Sequence, residues 1–156
     1  MGDIVVELNK EKAPISVANF LNYVDKGHYS GTIFHRVISS FMIQGGGFDA
    51  DLTEKKTDAP IKNEWQNGLK NEAYTIAMAR TNVPDSATCQ FYINSVNNPM
   101  LDAPRGGAAY AVFGKVVTGQ DVVDKIRAVK TGFRNGMGDV PMETVTITKA
   151  VREPRK

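Results

Sequence analysis

Turn residues interrupt this chain so often that only two stretches are long and periodic enough to be helices, which restricts it to a fold of many short strands. In the first, Pro14 stands where a helix accepts its first residue, having a fixed φ and no N–H to lose. Val17, Phe20, Leu21 and Val24 follow as one apolar stripe, so a helix is predicted over 14–26, with Gly27 placed for a left-handed cap. Val122, Val123, Ile126 and Val129 mark a second amphipathic helix. Strand-like runs are predicted at 3–8, 32–38, 41–44, 74–78, 90–94, 109–116 and 144–151. Residues 49–71 are polar, contain Pro60 and show little periodicity, the pattern of a long surface loop. No repeat or linker divides the chain, so residues 1–156 read as a single domain. The expectation is a mainly β protein: a small closed antiparallel β-barrel with the two helices capping its ends, because closure removes exposed strand edges.

The bulk numbers narrow the function by exclusion. With 156 residues, 42% of them hydrophobic and 23% charged, the chain can build an ordinary globular core. A net charge of +2 with scattered basic residues does not point to nucleic acid, and the basic cluster at 152–156 reads as a solvated terminus. No apolar run approaches the roughly 20 residues of a membrane span, and Met1-Gly2-Asp3-Ile4 shows no signal-peptide pattern. Cys89 is the only cysteine, so no intramolecular disulfide and no cysteine metal site can form. Without a basic neighbour it reads as a small packing residue. His28 and His35 lie seven residues apart without a supporting cluster. The expected protein is soluble and cytoplasmic, with no metal, no cofactor and no membrane contact.

The informative segment is FHRVISSFMIQGGGF, residues 34–48. Strand alternation puts Phe34, Arg36 and Ile38 on one face and His35 and Val37 on the other; in the next run Met42 and Gln44 share a face. One surface can thus present a guanidinium, a thioether and a primary amide beside the Phe41 ring, the general form of a ligand site. Each residue alone has a plainer explanation, a solvated arginine or a core phenylalanine. Gly45-Gly46-Gly47 lacks the spacing and the lysine of a phosphate loop and reads as close backbone approach after a strand.

Read as a whole, the string closely resembles the signature of the cyclophilins, the cyclosporin-binding peptidyl-prolyl isomerases. The resemblance continues in order through Lys62-Asn63-Glu64, Gly68-Leu69, Ile76-Ala77-Met78-Ala79-Arg80, Ser86-Ala87-Thr88-Cys89-Gln90-Phe91-Tyr92-Ile93-Asn94 and Val112-Phe113-Gly114-Lys115-Val116, and it is similar to the short bacterial branch. It implies that Arg36 is the catalytic arginine and that Phe41, Met42 and Leu101 hold the proline ring. It further implies that Gln44 bonds the substrate backbone, that Gln90 is a second substrate-binding glutamine, and that the backbone of Ala79 and Arg80 pairs with the residue before proline. Tyr92 stands at a pocket position that is usually Phe, Tyr110 where many members have His, and Met100 where cyclosporin-sensitive members have Trp; Trp65, in the long loop, is no substitute. Weak cyclosporin binding is therefore expected. Residues 102–108 match the family poorly, and eukaryotic members often carry Asn at the position of Arg80. Family members usually begin with a further strand ahead of residues 2–8, whereas Met1 stands almost at the turn. The expectation is a shortened chain or a different closure of the barrel, which bears on stability more than on the pocket.

The implied chemistry fits the residues present. Amide resonance raises a rotation barrier of about 18–20 kcal/mol, while cis and trans forms before proline differ by only about 0.5–1 kcal/mol. In the twisted transition state the imide nitrogen regains a lone pair, and a cation aimed there stabilises that state above the ground state. A gain of about a hundred-thousandfold requires roughly 7 kcal/mol, within reach of one charge-assisted hydrogen bond plus desolvation and positioning. The substrates implied are proline-containing peptides and unfolded clients, handled by a monomer. Two rivals stand beside this reading: a proline-peptide holdase without turnover, for which Arg36 would be superfluous, and a small-molecule barrel, which would keep its interior open.

Overall fold

The computed structural model describes residues 1–153. Of the expected solvated tail, residues 154–156 lie outside the described residues, while Arg152 lies at the surface, paired with Asp25 at 2.6 Å. The elements in order are β1 (Val5–Leu8), α1 (Pro14–Asp25), β2 (Arg36–Ile38), β3 (Met42–Gly45), β4 (Thr75–Met78), β5 (Phe91–Asn94), a 3-10 turn (Pro99–Asp102), β6 (Val112–Thr118), α2 (Gln120–Arg127), β7 (Thr131–Arg134) and β8 (Met137–Pro141). Strands β1-β6-β4-β5-β3-β2 form one antiparallel sheet in that spatial order, and β7 pairs with β8. The fold is mainly β with two helices, as expected.

Both faces of the sheet are used. Val37, Ile43, Ile93 and Ile76 are directly opposed across β2, β3, β5 and β4 and all enter the main core. Val17 and Val24 of α1 and Val122, Val123 and Ile126 of α2 close over the same core, so the interior is filled rather than open. Helix α1 has no cap from its own chain segment; the Glu64 carboxylate accepts hydrogen bonds from the Ser16 and Ile15 N–H groups at 2.6 and 3.3 Å, satisfying donors that a helix start leaves orphaned. Its other end closes as anticipated: Gly27 takes φ +72°, with Gly27 N–H donating to Val24 O and His28 N–H to Tyr23 O, a Schellman cap. The triple glycine is a close-approach device. A Cβ on Gly45 would stand 2.7 Å from the Ile33 carbonyl oxygen, and one on Gly47 2.5 Å from the Gln90 side chain.

Four expectations need correction. Only 36–38 of the run 32–38 is a ladder strand, and Phe34 turns inward with Val37 rather than sharing the face of Arg36. Residues 32 and 33 pair instead with isolated partners, Asp49 and Thr146, which breaks the alternation. The predicted strand 144–151 is no ladder strand: it runs beside residues 31–34, where Phe34 N–H donates to Val145 O and Ile147 N–H to Thr32 O, but holds only the one bridge at Thr146. The run 109–116 starts late, at Val112, because the Ala109 carbonyl is diverted to Asn63 Nδ2 and Tyr110 N–H donates to Leu101 O. The loop 49–71 is not all surface, since Leu52 packs with Ile33 and Val140, and Asn71 is 1% exposed. The hairpin β7–β8 was not anticipated, although its turn pair Asn135-Gly136, both at positive φ (51° and 81°), is the sequence signal of a type I′ turn.

His35 precedes β2 and lies outside the groove lining, and its ring packs on Phe48 at 4.5 Å with Nδ1 lacking a partner. Burial first, and then the nearby Arg36 charge, pull its pKa from 6.5 to about 4; burial lowers His28 as well. The unfolded chain therefore binds these protons before the folded one does. Stability is complete above pH 6.5 and is lost as pH falls toward 4, by up to roughly 3 kcal/mol for His35. Urea midpoints should drop across that window, and His35→Phe should remove the larger part of the slope; an unchanged slope in the variant would refute this account.

Candidate active site

The row next to the core row builds the site. Arg36 on β2 is opposite Gln44 on β3, Gln44 is opposite Tyr92 on β5, and Tyr92 is opposite Ala77 on β4. All four side chains point to the sheet face away from the main core. There Met42, Ala77, Ala79, Tyr92, Leu101 and Val112 form a second apolar cluster, with Ile38, Phe41, Leu69 and Tyr110 packed on it. A groove of about 140 Å³ opens above this cluster, lined by Arg36, Phe41, Met42, Gln44, Ala79, Arg80, Tyr92, Leu101 and Tyr110.

Of the residues expected at the site, two stand outside that lining. Gln90 sits behind Gln44, accepting a hydrogen bond from Gln44 Nε2 at 2.9 Å, and packs on Gly47. Met100, 47% exposed on the 3-10 turn, leaves the groove wall to its neighbour Leu101. Arg36 Nη1 lies 3.4 Å from Gln44 Oε1, so the guanidinium, the Gln44 amide and the Gln90 amide form a chain that fixes which end of Gln44 donates. One N–H of Gln44 is not used by this chain and is available to a ligand carbonyl.

Polar residues hold the floor. The Tyr92 hydroxyl donates to Asn71 Oδ1 at 2.7 Å, and Asn94 Nδ2 donates to the same oxygen at 3.0 Å. Asn71 in turn donates through its backbone N–H and Nδ2 to Asp102 Oδ1, tying the 3-10 turn and Leu101 to the sheet. Asn98 Nδ2 donates to the Phe41 carbonyl at 2.8 Å. Burial raises the Tyr92 hydroxyl well above its ordinary value, so it acts as a neutral donor. Sequence reasoning missed Asn71 and Asn98; the only signal was the recurrence of Asn beside turn positions, where its amide can satisfy loop backbone. The groove offers no nucleophile, and among the described residues no cluster of metal-ligating side chains exists. What it can do is seat an apolar ring beside a cation and an amide.

Comparison with known proteins agrees with that geometry. The family model described as cyclophilin type peptidyl-prolyl cis-trans isomerase/CLD matches residues 1–152. A peptidyl-prolyl cis-trans isomerase of Streptomyces antibioticus is 59% identical over 152 residues, spanning 96% of this chain and 92% of that one. Peptidyl-prolyl cis-trans isomerase B of Escherichia coli is 55% identical, over 94% and 91% of the two chains. Among solved structures, a Cryptosporidium parvum cyclophilin type peptidyl-prolyl cis-trans isomerase crystallised in the presence of the dipeptide Ala-Pro superposes with a TM-score of 0.81 at 25% identity, covering 98% of this chain and 94% of that one.

Because Asn71 keeps Asn94 as a donor, Tyr92→Phe should cost only about 1–2 kcal/mol, read as a lower urea midpoint. The ring still fills the groove floor, so ligand affinity should change less than twofold; a loss of binding as large as that caused by Phe41→Ala would contradict the hydroxyl's purely structural role.

Proposed function

The chain belongs to the cyclophilin-type peptidyl-prolyl cis-trans isomerase family and accelerates rotation about Xaa-Pro bonds, for which folding assistance is the usual role; from that premise we propose how its own residues carry the reaction. The proline ring of a flexible segment enters the apolar hollow of Phe41, Met42, Leu101 and Tyr110, over the ring of Tyr92. Gln44 donates its unused N–H to a substrate carbonyl and fixes the backbone on one side of the bond. Arg36 donates to the imide nitrogen as its lone pair emerges, an interaction that strengthens along the reaction and therefore lowers the barrier rather than merely improving binding. No proton is transferred and no bond is broken. The observation that carries this assignment is the direct opposition of Arg36 and Gln44 across β2 and β3, at one edge of the apolar cluster.

Exchange spectroscopy on an Ala-Pro peptide tests the roles. Arg36→Ala should lower kcat/KM by about 10²–10³-fold while peptide affinity falls less than tenfold. Peptide binding by the wild type without measurable exchange, with affinity unchanged in Arg36→Ala, would favour a holdase that uses the same groove.

The reading extends to ligands and setting. Met100, with an exposed thioether and no N–H donor, supports weak cyclosporin binding. Met100→Trp should tighten it by about tenfold in a titration, the worth of one added hydrogen bond; no gain would remove Met100 as the cause. The groove is complete within one chain, which supports a monomer, and the single buried Cys89 suits a reducing cytoplasm. Sedimentation and cell fractionation test these two points.

A further inference from the structure

The groove carries two cations and no anion. Arg36 and Arg80 both line it, and Arg105 lies in the adjoining loop; among the described residues none of the three forms an ion pair, the salt bridges being those of Lys26, Arg127 and Arg152. Asp102, the carboxylate on the 3-10 turn beside Leu101, is engaged by the backbone N–H and Nδ2 of Asn71.

Arg80 is held with unusual completeness for a residue without a charge partner. Its Nη2 donates to Ala108 O at 2.7 Å and Arg105 O at 3.4 Å, its Nη1 to Thr81 O at 2.8 Å and its Nε to Ala109 O at 3.4 Å. The guanidinium also lies over the Tyr110 ring, 4.6 Å from its centroid, and Tyr110 meets Tyr92 edge-on at 5.9 Å. Carbonyls and a ring fix the position of this cation but do not neutralise it, and one N–H of Nη1 stays free. β2 and β4 are separated by β3 and β5, and Arg80 follows three residues after Ala77, the β4 residue in the row of Arg36, so the two backbones stand about 17 Å apart. Extended chain covers that distance in about five residues, and the reach of the Arg80 side chain shortens it.

We propose that Arg80 makes this isomerase selective for acidic segments, attracting a carboxylate within about three residues on the N-terminal side of the proline. The proposal rests on the isomerase reading, because the strand end at Ala79 and Arg80 is placed beside the residue before proline only on that reading. A neutral peptide separates the two: failure to turn over an alanine-flanked Xaa-Pro peptide refutes the reading, whereas the charge ratio tests the selectivity.

The experiment compares kcat/KM for Ala-Pro peptides carrying a single Glu or a single Lys at the first, second or third residue before proline. At low salt the best Glu peptide should exceed its Lys counterpart by about fivefold, as expected for partly screened charges several ångströms apart. The ratio should fall below about twofold at 0.5 M salt. Arg80→Gln should bring the low-salt ratio close to one. Arg80→Lys, which keeps the charge but loses the carbonyl fork and the stacking, should retain most of it, so a loop loosened by substitution is distinguished from a lost charge. A wild-type ratio at or below one at every position, or a ratio unchanged in Arg80→Gln, overturns the proposal.

Discussion

The register of four strands governs everything else in this molecule. With Val37, Ile43, Ile93 and Ile76 opposed in one row, the neighbouring row of Arg36, Gln44, Tyr92 and Ala77 is forced onto the other face. Side chains alternate with a period of two, so a slip of β2 and β3 by one residue would send Arg36 and Gln44 into the core and turn Val37 and Ile43 out of it. The hydrophobic drive that fills the interior is thus the same force that aims the groove face. A site built on such a row needs little separate positioning energy, because its geometry is inherited from core packing.

What the sheet does not position is supplied by amides. The groove's far wall consists of loop and 3-10 residues, whose backbone groups have no ladder to join. Asn71 and Asn98 connect those segments to strand residues through short hydrogen bonds, and Glu64 does the same for the start of α1. Buried polar groups of this kind are costly when unpaired, so each is satisfied by more than one partner or by a charged one. The arrangement ties the segments carrying Leu101 and Phe41, both in the groove lining, to the rest of the fold.

The chemistry asked of the site is modest, and its composition matches. Rotation about an imide bond needs neither a proton relay nor a metal, only a dry seat and a cation whose attraction grows as conjugation is lost. The two histidines are correspondingly elsewhere: His28 donates through Nε2–H to Gly46 O, and His35 is packed beside Phe48. Arg80 differs from Arg36 in donating four of its five N–H groups to carbonyls, which makes it an element of the wall first and a source of field second.

Local chemistry was enough to place α1 and its Gly27 cap, the inward and outward faces of 36–38 and 42–44, and the tight approach at Gly45 and Gly47, because each follows from periodicity or from the absence of a Cβ. The family resemblance located Arg36, Phe41, Met42, Gln44, Tyr92, Leu101 and Tyr110, which the fold then gathered into one groove. Tertiary structure alone decided that 144–151 would run beside 31–34 with a single bridge, that Phe34 would leave the face of Arg36, that Gln90 would stand behind Gln44, and that Asn71 would be buried beneath Tyr92. The division has one physical cause. Alternation, capping and backbone sterics act over a few residues and are written in adjacent letters, whereas the partner of a loop amide or of an edge segment is chosen by whichever distant group the closed fold brings within about 3 Å.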